Sequence, residues 1–193
     1  MAADAVGISW LAVLPVCLAP VPFLRKKYAG QGRYVPSVLW PVPPLCAAAL
    51  AAAGKGAEYC LATAFFLWLL LDASVRDAHD HEVPDTYVLP CLALAVPSVC
   101  FSPLACLVLP SLLTLLLALP GILGRKCLGG ADLKIVWLTG LFLGVFRALP
   151  ALFFASLLAL LSRLPKRRRP PRGAPFAFVP FLFFGASLAS LLP

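Results

Sequence analysis

Apolar runs about as long as a bilayer is thick follow one another from end to end of this chain, and that succession leaves few ways for it to fold. A transmembrane helix needs ~20 mostly apolar residues. The sequence offers such runs at about 5–23, 36–53, 57–76, 86–102, 104–123, 133–148, 150–162 and 175–193. With 62% hydrophobic and 12% charged residues and a mean hydropathy of +0.95, no soluble domain of 193 residues could hide so much apolar surface. The runs are continuous rather than alternating, which excludes a β-barrel. The expected fold is all-α: a polytopic membrane protein of about eight transmembrane helices in one integral domain, 1–193. Two N-terminal helices occupy 1–56 and a core occupies 57–193.

Proline and charge refine this plan. Pro41, Pro43 and Pro44 predict an irregular first half for the second run. Pro90 and Pro97 interrupt the fourth, and Ala148-Leu149-Pro150 divides the sixth from the seventh. Loops 24–35, 76–85, 124–134 and 163–173 carry 14 of the 16 basic residues, leaving only Lys55 and Arg147 for the other side. By the positive-inside rule those loops are cytoplasmic and both termini lie outside. The formal charge of +8 is thereby a topology signal and implies no nucleic-acid partner. The run Lys166–Arg169 also suits anionic lipid. Seven cysteines without a CxxC pair read as small apolar packing residues. The first run has no basic n-region and no clear cleavage site, so it is not expected to be a cleaved signal peptide.

Acids are scarce. Of eight, five (Asp72, Asp77, Asp80, Glu82, Asp85) fall between 72 and 85, and a sixth, Asp132, lies in the stretch 128–134, LGGADLK. Carboxylates beside hydrocarbon are costly and are held there for function. Two spans separate the stretches, so both emerge on the cytoplasmic side. Two carboxylates brought close cannot both ionise easily. One then serves as base toward a water while the other, protonated, serves as acid, with no metal and no cofactor. Gly129 and Gly130 would let the backbone approach a substrate strand and turn tightly before Asp132.

The stretch Asp77-Ala-His-Asp-His-Glu-Val83-Pro84-Asp85 resembles the signature of type IV prepilin peptidases and archaeal preflagellin peptidases. There an Asp precedes Ile/Val-Pro-Asp/Asn by six residues. That spacing to Pro84 selects Asp77 over Asp72 and Asp80. Gly129-Gly130-Ala131-Asp132-Leu133-Lys134 is similar to the family's GxGDxK, with Ala131 in place of its second glycine as in the archaeal branch. Pro175-Phe-Ala-Phe-Val-Pro-Phe-Leu182 is similar to its final PFxPfL helix. The resemblance, over about 57–193, implies an aspartic endopeptidase with catalytic Asp77 and Asp132. Its substrates would be pilin-like or archaellin-like precursors, whose short basic leaders it would cut off at the cytoplasmic boundary of the cell membrane. A cysteine-rich methylating domain is absent from the sequence, so N-methylation is not expected.

The neighbouring residues carry blander readings beside functional ones. Asp72 either tunes the pair or snorkels to water. Lys134 either biases Asp132 or anchors the helix. Asp85 suits a helix N-cap, and Glu82 a hydrated loop. His79 and His81, the only histidines, alternate with acids in a way that suggests metal ligands, but neighbours in one short loop rarely converge on an ion. Among other functions, a small transporter using the Asp pair as a proton or cation site would want acids at mid-membrane and an inverted repeat. A metal-dependent phospholipid-headgroup enzyme would lose activity with chelator.

Overall fold

Glycine and proline, more than hydropathy, decide where the helices of this chain begin and end. The computed structural model describes residues 15–33, 35–101, 104–123, 129–163 and 176–192. Most of the first apolar run and the basic run 166–169 lie outside them. Among the described residues the chain is helical, with eight α-helices and no strand.

Helix α1, Pro20–Gly30, has proline in its first turn, where a missing N–H costs nothing. It runs on through Arg25, Lys26 and Lys27, which were expected in a loop. Arg and Lys are good helix formers, so the helix ends only near Gly32, whose φ is +66°. A 3-10 turn, Ser37–Leu39, precedes α2, Val42–Ala52. The irregular first half expected from Pro41, Pro43 and Pro44 is therefore present. Gly54, at φ +75°, turns the chain into α3, Ala57–Asp80.

At 24 residues, α3 is longer than its apolar run. Arg76, Asp77, His79 and Asp80 are thus on the helix and not in a loop. His81 caps it in the left-handed conformation (φ 56°), its N–H bonded to the Asp77 carbonyl. A strap, 81–87, ends in the 3-10 turn Asp85–Tyr87 and leads into α4, Val88–Phe101. A π-turn, Leu104–Val108, opens α5, Leu109–Ile122. Helix α6, Gly130–Leu143, and helix α7, Val145–Arg163, are divided by Gly144 at φ +75°. The division expected at Pro150 is not there. Gly144 leaves the helix at φ +75° and ψ 158°, a conformation open almost only to glycine, and Pro150 lies inside α7. Helix α8 is Val179–Ser190.

Among the described residues two helices, Ala57–Asp80 and Val145–Ser162, are long and apolar enough to cross a membrane; the other apolar helices there are shorter, at 10–17 residues. Helix α8 packs against α3 and α7, and α6 packs against α4, α5 and α7. The core between them includes Phe66, Leu67, Leu138, Val179 and Leu182. Phe66 stacks on Phe142 with ring centroids 4.3 Å apart. Small residues bring α7 and α8 together. A Cβ on Gly185 would stand 2.1 Å from the Ala151 carbonyl oxygen, and Ala148, Ala151, Ala155 and Ala159 line the facing seam, all buried. Close backbone approach over small side chains is how helices associate where lipid removes the hydrophobic drive. The other side of α7 exposes Phe146, Phe153 and Leu160. Cys17, Cys46, Cys60 and Cys91 are buried free thiols, as packing residues would be.

Candidate active site

Three helices with little sequence in common meet at one end of the core. From α3 comes Asp77, 4% exposed, and from the first turn of α6 comes Asp132, 7% exposed. The start of α8 supplies an amide: Val179 N–H donates to Asp77 Oδ2 at 3.0 Å. Asp132 Oδ2 accepts the N–H of Gly129, the N-cap of its own helix, at 3.2 Å. A helix N-terminus favours such a carboxylate, so Asp132 caps α6 as well as facing the site.

The two acids are in each other's field. Asp132 lies ahead of the apolar part of α6. Burial pushes its carboxyl up to about 6, and the charge of Asp77 adds to the rise against the opposing Gly129 hydrogen bond. Two buried carboxylates in one field cannot both ionise easily, so such a pair can divide into a protonated and an ionised member.

The remaining candidates are placed less as the sequence suggested. Asp72 does not snorkel. It is 8% exposed and receives Lys27 Nζ at 2.9 and 3.1 Å and the hydroxyls of Tyr28 and Tyr87. Lys134 pairs with Asp85 and not with Asp132. Asp85 is the first residue of the 3-10 turn, whose N-cap position is held by Pro84, and its carboxylate reaches Lys134. Asp80 pairs with Arg33 at 2.6 Å, and Glu82 is exposed.

Neither Gly129 nor Gly130 has a positive φ, so no tight turn depends on them within the described residues. A Cβ on Gly130 would meet nothing within 4 Å, which leaves open space beside Asp132. Among the described residues no three His, Cys, Asp or Glu side chains gather as a metal site.

Sequence reasoning missed Tyr28, Tyr87 and the Val179 amide. A tyrosine at the edge of an apolar run needs a partner for its hydroxyl, and that signal was available for both tyrosines. A backbone amide leaves no such signal.

The fold and the paired acids define a class: an all-helical protein of apolar helices with two buried carboxylates at one end. The chain belongs to the type IV leader peptidase family, whose model matches residues 64–164. The match takes in Asp77 and Asp132 and stops short of 175–182, the third stretch of resemblance. No curated protein and no solved structure matches the chain. The protein is accordingly a peptidase of a membrane-associated, prepilin-processing family.

Proposed function

We propose that this is an aspartic endopeptidase set in the cell membrane by several spans. It would remove short basic leaders from pilin-like or archaellin-like precursors at the cytoplasmic face. The observation that carries the reading is the pair itself: two buried acids, from helices separated by two others in the chain, lie in one electrostatic field inside the family match. Asp77, ionised and held by the Val179 amide, takes a proton from a water as that water attacks the scissile carbonyl carbon. Asp132 gives its proton to the carbonyl oxygen. Collapse of the tetrahedral adduct returns that oxygen to a carbonyl, its proton going back to Asp132, and the leaving nitrogen departs with the proton held on Asp77. The open space over Gly130 leaves room for a substrate strand beside Asp132.

Membrane setting is supported by two helices of spanning length, by the apolar outer face of α7 and by the one-sided distribution of basic residues.

The test is co-expression in membranes of a pilin-like or archaellin-like precursor with wild type, Asp77→Asn or Asp132→Asn. A leader-length mobility shift with wild type alone is expected. Cleavage by either variant at the wild-type rate would overturn the two-acid mechanism. Retained cleavage by Asp80→Asn, whose partner is Arg33, is the matching control.

A further inference from the structure

Asp72 is the most heavily partnered acid described, and the proposed mechanism does not use it. On a helix, five residues turn through about 500°, so Asp72 faces about 140° away from Asp77. Both of its oxygens are already taken: Oδ1 by Lys27 and Tyr28, Oδ2 by Tyr87 and Lys27. Arg76 Nε stands 3.7 Å away, one turn further along. A carboxylate so saturated has no lone pair left for a water's proton.

What it holds is more informative. Tyr87 ends the strap 81–87, which leaves α3 at His81 and is brought back to α3 by the Tyr87–Asp72 hydrogen bond. Between those points Asp85 reaches Lys134 on α6. The strap is thus tied to α3 five residues before Asp77 and to α6 two residues after Asp132. One tie is buried and the other is exposed. Lys27 and Tyr28 add α1 to the buried tie.

We propose that Asp72, clasped by Tyr28, Lys27 and Tyr87, is a positioning residue: it fixes the strap that sets the distance between Asp77 and Asp132. The inference rests on the reading of those two acids as the proton-transferring pair. Misplacement of a reacting group by about 1 Å can cost about a hundredfold in rate, so a loosened strap acts on turnover and leaves leader docking alone.

Two measurements on the full chain in membranes test it. Spin labels at Ala78 on α3 and Gly130 on α6, both exposed, report the separation of the two helix ends without reference to activity. Tyr87→Phe, which keeps the ring and loses one donor, is expected to broaden and lengthen that distance. Asp72→Asn is expected to do so further. In unlabelled protein the same variants are expected to lower kcat about tenfold or more with KM unchanged and the folded amount in membranes retained. A charge swap, Asp85→Lys with Lys134→Asp, is expected to recover the kcat that either single change loses. An unaltered distance distribution in both Tyr87→Phe and Asp72→Asn overturns the proposal, as does a loss of cleavage that only tracks a loss of folded protein. Absence of cleavage by wild type would remove the peptidase reading instead, and the label distances would still decide whether the strap is held from Asp72.

Discussion

The amide of Val179 reaches Asp77 across 102 residues of sequence, donating to Oδ2 at 3.0 Å. The hydrogen bond ties the last helix of the chain to the acid of the third. A charge-assisted hydrogen bond of this kind contributes about 1.5–3 kcal/mol. Val179→Pro deletes the donor at the first position of α8 and keeps most of the apolar bulk, though Phe178 (φ −95°, ψ −31°) must shift to precede a proline. Leader cleavage in membranes is expected to fall about tenfold or more, with the protein still inserted. Undiminished cleavage would mean that the amide does not support the base.

Asp132 gives the pH dependence its sign. Its carboxyl is raised to about 6 by burial and then by the charge of Asp77, and the mechanism needs it protonated. The profile of kcat/KM against pH is expected to lose activity as pH rises through about 6, and that limb belongs to Asp132. A profile flat from pH 5 to pH 8 would separate Asp132 from the acid role.

The same shift makes a stability statement. A carboxyl whose folded value is raised contributes its full share of stability below the unfolded value, near 3.8. That share is lost as pH climbs through about 6. Asp132→Asn is therefore expected to be more stable than wild type at pH 8, by up to roughly 3 kcal/mol, with the gap closing below pH 4. Thermal unfolding in detergent at the two pH values measures it, and equal gaps at both would contradict the assignment.

Gly185 and Gly130 are expected to behave oppositely. Gly185→Ala places a methyl 2.1 Å from the Ala151 carbonyl oxygen and must part α7 from α8, at a cost of about 1–3 kcal/mol. Gly130→Ala meets nothing within 4 Å and is expected to shift stability by less than about 0.5 kcal/mol while raising KM for the precursor. Melting temperatures and cleavage kinetics separate the two effects.

His81 holds a left-handed conformation at φ 56°, which costs a side-chain-bearing residue about 1–2 kcal/mol. His81→Gly is expected to recover about 1 kcal/mol in chemical denaturation, and an unchanged midpoint would show that the imidazole repays its strain.

The parts of this fold legible in the sequence are those written in local pattern. Asp77 was singled out by its spacing to Pro84, Asp132 by GGAD, and the apolar runs by length alone. Helix ends were harder, since α3 outran its apolar stretch by a full turn and Gly144 took the break assigned to Pro150. A break needs a backbone conformation, and glycine's is invisible until the neighbouring helices demand it. The partners of Asp72 were out of reach for a different reason: Tyr28 lies 44 residues before it and Tyr87 15 after, and nothing local joins the three. Lys134 and Asp85 found each other across 49 residues, so the neighbour of an acid in sequence was not its partner in space.

Helix α6 has 14 residues, about 21 Å at the usual rise, against about 30 Å of hydrocarbon in a typical bilayer. On the multi-span reading proposed above, a lipid leaflet meeting so short a wall would thin to match it. Around α6 the headgroups would sink toward the helix end that carries Asp132, and hydrolytic water would come down with them. A carboxyl lodged in an apolar fold could then be wetted by the bending of the membrane, with no channel cut through the protein to reach it.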